Sequence, residues 1–268
     1  MSCSLTMPEE AGNYLILDEA ARLPASLIGI HAAESLIKLN RTSDLEPHYL
    51  AQVQDEAGAY QIGVWRVLAQ LNEGAERDAW HARLRTTLLN ESSGFRIHAI
   101  ESLAKLRAPK TPDEVIAVNQ IADAADHPGS PFALWRRAQW ETDHSSVEIL
   151  EKQLDSEQEV IRFRAAYALW HLQPLPDAIQ KTLIKKSNDS GLPESLRLMC
   201  ALAGQNRQVW EKHIDSTIPS NRYFIALELA RHSDPHACLL ARQLLKDPDT
   251  DVRAAAAYAR LKQQHDRQ

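Results

Sequence analysis

The chain has little glycine, few cysteines, few aromatic residues and no excess of positive charge, and each shortage excludes something. Only 9 Gly occur in 268 residues, with no GxGxxG and no GxxxxGK[ST]. Rossmann and P-loop sites need glycine where backbone closes on phosphate, so the two commonest nucleotide cradles are excluded in standard form and no cofactor is expected. Cys3, Cys200 and Cys238 are too few and too scattered for a disulfide framework, and without a CxxC pair they do not suggest zinc; a reducing compartment fits best. Lys and Arg number 30 against 36 Asp and Glu, a net charge of −6, which argues against generic nucleic-acid binding, where phosphates must be neutralised. No run approaches the ~18 apolar residues that span a bilayer, and the N-terminus lacks a basic segment followed by an apolar one. The expectation is a cytoplasmic protein with no membrane insertion.

What is present is helical periodicity in almost every segment, and one helix written repeatedly. Its clearest copies are IGIHAAESLIKL at 28–39, YQIGVWRVLAQL at 60–71, FRIHAIESLAKL at 95–106 and IRFRAAYALWHL at 161–172; weaker copies begin near Ser130, Glu194, Arg222 and Val252. Between copies lie second amphipathic stretches, such as 46–58, 76–90, 112–126, 146–156 and 235–247, bounded by turn chemistry such as Pro128-Gly129 and Asp247-Pro248-Asp249. The unit is a helical hairpin of about 33 residues. A single hairpin cannot bury its apolar stripe, so neighbours must stack. The predicted fold is all-α, an α-solenoid of about eight hairpins forming one domain over 1–268.

The second-helix pattern has a β-branched or aromatic start, often Arg, then Ala-Ala-x-x-Ala-Leu-x-x-Leu, after an Asp-rich turn as in DPDTDVRAAAAYARL. It resembles HEAT repeats, including the HEAT-like variety of phycobilisome lyases, over nearly the whole chain. The resemblance implies the solenoid. It leaves function open, because such repeats serve scaffolds, chromophore lyases, DNA glycosylases and metal-dependent hydroxylases.

Numbering the second helix from its apolar start, positions 1, 5, 8, 9 and 12 form the buried stripe, as in Ile28, Ala32, Ser35, Leu36 and Leu39. Positions 4, 7 and 11 share another face, which should line a concave inner surface. It carries His31, Glu34, Arg66, His98, Glu101, Arg136, Arg164 and Tyr167, with Trp65, Trp135 and Trp140 beside it. Arginine offers a planar fork for carboxylate or phosphate, histidine exchanges protons near neutrality, and aromatic faces stack on flat groups. A charge ladder of Glu34, Arg66, Glu101 and Arg136 between stacked helices would explain part of the pattern without any ligand.

His31 with Glu34, and His98 with Glu101, have i, i+3 spacing, but one metal cannot bridge alternate units about two helix spacings apart, and the His-Glu dipeptides of the HEAT-type di-iron hydroxylases are absent; no metal is expected. Cys200 and Cys238 read as small buried apolar residues. Arg136-Arg137, Arg162, Arg164 and Arg197 could form a basic patch, opposed by the acidic first helices. The expected function is a scaffold or binding module for an acidic protein, peptide or anionic small molecule. The alternative is an enzyme of lyase or isomerase type on an anionic small molecule such as a sugar acid, with His31 or His98 as acid/base and Tyr167 as proton donor.

Overall fold

The computed structural model describes residues 6–266. In chain order the helices are α1 (Met7–Ala21), α2 (Leu27–Lys38), α3 (Leu45–Leu50), α4 (Ala59–Leu71), α5 (Gly74–Leu89), α6 (Arg96–Leu106), α7 (Pro112–Asp123) and α8 (Ser130–Ala138). They continue as α9 (Ser145–Gln153), α10 (Glu159–His171), α11 (Asp177–Ser187), α12 (Glu194–Ala203), α13 (Arg207–Trp210), α14 (Pro219–Leu229), α15 (Pro235–Leu244) and α16 (Thr250–His265), with a 3-10 turn at Glu211–His213. No strand occurs among the described residues. All eight recurrent segments lie on the even-numbered helices. The stretch 46–58 is helical only to Leu50.

Local chemistry sets these helices where the sequence signals them. Thr6 and Glu9 form a reciprocal capping box on α1, Ser26 caps α2, Thr111 followed by Pro112 caps α7, and Asp234 and Asp249 cap α15 and α16. The turn before the second helix recurs in detail. Ser156, Ser216 and Asp247 each accept a hydrogen bond from the backbone N–H two residues on, at 3.2, 3.2 and 2.9 Å. The arginine six residues on, Arg162, Arg222 or Arg253, donates back to the turn residue's carbonyl at 2.7, 2.6 and 2.7 Å. The early Arg of the repeat is therefore a tie that satisfies turn carbonyls, which would otherwise need water.

Backbone contacts gather the chain into two compact units: unit 2 is Gln54–Trp210, and unit 1 combines the segment up to Val53 with the segment from Glu211. In unit 2, the second helices α4, α6, α8, α10 and α12 pack each on the next, while α5, α7, α9 and α11 form the other layer. This sequential stacking is that of an α-solenoid. The core between the layers includes Leu68, Leu84, Leu103, Val118, Leu150, Ile161 and Leu183, all 0% exposed.

In unit 1 the two ends of the chain meet, since α16 packs against α1 and α2 as well as α14 and α15. A stack read from self-similarity predicts only neighbour contacts. The α16 sequence supplies the reason: Ala254 to Ala257 and Ala259 are all buried, so α16 is slim enough to be approached from several sides. Close approach recurs between α1 and α2, where a Cβ on Gly29 would lie 3.1 Å from the Leu23 carbonyl, and the Tyr49 hydroxyl lies 2.9 and 2.8 Å from the carbonyls of Ala21 and Gly29.

Candidate binding site

The sequence-predicted residues divide between the units. His31 and Glu34 stand half-buried on α2 in unit 1. His31 stacks on Tyr223 with ring centroids 5.4 Å apart, and its Nδ1 lies 3.7 Å from an oxygen of Asp251 at the start of α16. The other residues belong to unit 2.

There the expected open face is substantially covered. Successive second helices pack along it, so position 7 lies between adjacent helices. Arg66 is 6% exposed, Arg136 1% and Tyr167 9%. Trp65 and Trp135, at 2% and 3%, are core residues rather than stacking platforms. The expectation that these side chains face a groove is corrected accordingly. Trp65 has the Arg83 guanidinium 5.8 Å from its ring. Trp135 stacks on His171 at 4.6 Å and 12°.

Two polar centres result. The first gathers on Glu101 of α6. Lys105, one turn on, pairs with it at 2.8 Å, the Tyr167 hydroxyl donates to it at 3.4 Å, and Arg66, which donates to the Ser102 hydroxyl at 2.9 Å, adds its charge. Burial would raise the Glu101 pKa, but the Lys105 ammonium and Arg66 hold it down at about 2. Burial pushes the Tyr167 phenol up to about 12. Arg164 donates to the Pro128 carbonyl at 2.6 Å and lies 5.4 Å from the Phe132 ring. His98 is exposed on α6. Part of the anticipated charge ladder is thus real, with Arg66 and Glu101 as its rungs.

Arg136 leaves that ladder. It turns to the other layer, where Glu114 of α7 is 0% exposed. Its Nε meets one Glu114 oxygen at 2.8 Å while Arg85 Nε of α5 meets the other at 2.9 Å. Arg136 also donates to the Ala108 carbonyl and, at 2.9 Å, to Gln139; Arg85 donates to the Pro109 carbonyl. Burial lowers the Arg136 pKa and the Glu114 carboxylate counteracts it. An Arg-Glu-Arg triad therefore bolts the segment after α6 to the interior.

That segment forms one side of a pocket of about 550 Å³, a size typical of ligand sites. Its lining comes from Arg107 to Lys110 after α6, from Arg136, Ala138, Gln139 and Trp140 at the end of α8, and from His171 to Gln173 at the end of α10. Its lining includes three cations and no carboxylate. Elsewhere in unit 2 cations are commonly matched, as in Arg83 with Asp55, Lys105 with Glu101, Arg137 with Asp123 and Lys186 with Asp155. Arg107 and Lys110 are exposed, and neither has an ion pair among the described residues. Lys110 lies 5.9 Å and Arg136 4.8 Å from the half-buried Trp140 ring. Of the predicted ligand residues, Arg136 and Trp140 reach this pocket. Arg107 and Lys110 were missed because they lie in a loop outside the helical register; the available signal was two basic residues in Arg107-Ala-Pro-Lys110 without an acidic neighbour.

No group of three or more His, Cys, Asp or Glu side chains among the described residues could hold a metal ion. Cys200 is fully buried, and burial pushes its thiol up to about 12. Cys238 is buried as well, and Cys3 lies outside the described residues. No helix among the described residues is long and apolar enough to cross a membrane. No family model matches the chain, and no curated protein matches it in sequence.

Proposed function

We propose that this protein is a HEAT-like binding module that takes an anionic group of an acidic protein, peptide or small molecule at the unit 2 pocket. The observation that carries this reading is the lining of that pocket: Arg107, Lys110 and Arg136 with no carboxylate, in a chain whose net charge is −6. Two of these cations, Arg107 and Lys110, have no ion pair among the described residues, and like charges collected at one concavity raise the local concentration of the opposite sign. The proposal moves the anion site from Arg66 and Arg164, each of which donates a hydrogen bond inside the unit, to the loop after α6.

The enzymatic alternative is weakened at its proton donor, Tyr167. A group that transfers protons efficiently has a pKa near the working pH, whereas burial pushes the Tyr167 phenol up to about 12. The test is thermal stabilisation and calorimetry with citrate, glucuronate and inorganic phosphate at low salt. A ligand at a hundredfold excess over Kd stabilises by about 2.7 kcal/mol. Stabilisation that disappears in Arg107→Ala and Lys110→Ala is expected. Indifference to every anion, or identical responses from those variants, would remove the reading.

A further inference from the structure

The distribution of charge and apolar surface within the pocket says more about its occupant than the net sign does. The uncommitted cations, Arg107 and Lys110, are exposed at the mouth. Three polar side chains deeper in, Arg136, Gln139 and Gln173, are engaged. Arg136 is 1% exposed and is held by Glu114, Gln139 and the Ala108 carbonyl. Gln139 donates to the Ala104 carbonyl at 2.8 Å while accepting from Arg136. Gln173 donates to the Ala203 carbonyl at 2.7 Å and accepts from Gln205 at 3.3 Å. The rest of the lining is Ala108, Pro109, Ala138, Leu172, the Trp140 ring and His171, whose ring already stacks on Trp135.

A small polar anion fits this arrangement poorly. Held at the mouth it would meet only solvated ion pairs, each worth at most about a fivefold gain in affinity. Moved inward it would lose hydration beside arginine and glutamine donors that are already committed. An occupant matched to both zones brings an apolar group for the interior and carboxylates that stay at the solvated rim, the division between buried core and polar rim found in protein interfaces.

Resting on the reading of this pocket as an anion site, we infer that its occupant is an acidic segment of another protein, with one apolar or aromatic side chain seated among Ala108, Leu172 and Trp140 and flanking Asp or Glu residues against Arg107 and Lys110. Charge complementarity argues for the acidic flanks, and the commitment of Arg136, Gln139 and Gln173 beside Ala108, Leu172 and Trp140 argues for the apolar anchor. The complex needs no carboxylate to be fully dehydrated.

The test is a displayed library of random nine-residue peptides sorted on the full chain and counter-sorted on the Arg107→Ala/Lys110→Ala double variant. Both substitutions are at exposed positions, and circular dichroism checks that the variant is folded. The expected result is enrichment of sequences with an apolar or aromatic centre and acidic flanks. As synthetic fluorescent peptides these should lose at least about tenfold in affinity on the double variant, again on replacing the central residue by Ala, and steadily with added salt. Enrichment without acidic bias, no enrichment, or binding that the double variant leaves unchanged would overturn the inference. Citrate, glucuronate and phosphate are titrated in parallel. If they bind through Arg107 and Lys110 while no acidic peptide does, the peptide inference fails and the anion site stands; if neither class binds, both fall.

Discussion

Replacing Glu114 by Gln tests the most consequential burial in unit 2. The carboxylate is 0% exposed and receives Arg136 Nε at 2.8 Å and Arg85 Nε at 2.9 Å. The Arg136 side chain is 1% exposed and that of Arg85 15%. Glutamine keeps the volume and one acceptor oxygen but leaves two guanidinium groups facing each other without a counter-charge. Arg85 can recover some hydration by turning outward; Arg136 cannot. Breaking a buried pair by removing one partner costs about 3–5 kcal/mol, and Glu114→Gln should fall in that range. Replacing both ends of the buried pair, with Glu114→Leu and Arg136→Met, removes the stranded charge as well as the pair, so the double variant should cost much less than the two single substitutions combined. Urea unfolding followed by both far-ultraviolet circular dichroism and tryptophan fluorescence measures this. The two signals also show whether unfolding stays two-state. A loss below about 1 kcal/mol for Glu114→Gln would mean that solvent reaches the triad in solution, and the account of a bolted pocket rim would be wrong.

Two further outcomes follow from the polar centre at Glu101 and from the buried thiol. The Glu101 pKa is lowered from 4.5 to about 2 in the folded chain. Its contribution, on the order of 3 kcal/mol, is therefore present above about pH 4.5 and is lost as pH falls toward 2; urea midpoints over that window should drop more steeply in the wild type than in Glu101→Gln, and parallel curves would contradict the assignment. Cys200 is 0% exposed with its thiol pushed up to about 12, so the native protein at pH 8 should resist iodoacetamide at this residue, as read by peptide mass mapping, and react only in denaturant; rapid native labelling would show that α12 opens readily.

The helices and hairpins were legible because their signals are local. Thr111-Pro112, Asp234-Pro235 and Asp249 mark helix starts by hydrogen bonds made within three residues, and the repeat of the apolar stripe marks the face that meets the partner layer. The meeting of α16 with α1 and α2 was not legible. Self-similarity tells each hairpin what its neighbours are, and the alanines of α16 read equally well as an ordinary second helix.

The candidate site shows a different boundary. Periodicity assigns Arg66, Arg136 and Tyr167 to one face of their helices, and that assignment is sound, but it cannot tell whether the next helix covers the face. It covers it enough to bury all three. Charge presents the same difficulty in another form. Arg85, Arg136, Arg107 and Lys110 are alike as entries in a net charge of −6, and what distinguishes them is where Glu114 lies. It consumes Arg85 and Arg136, draws the carbonyls of Ala108 and Pro109 inward through them, and leaves Arg107 and Lys110 standing at the rim without a counter-ion among the described residues. The two residues best placed to meet an anion are thus made available by a carboxylate that never touches it, through contacts at sequence separations of 22 to 29 residues that neither motif nor period encodes.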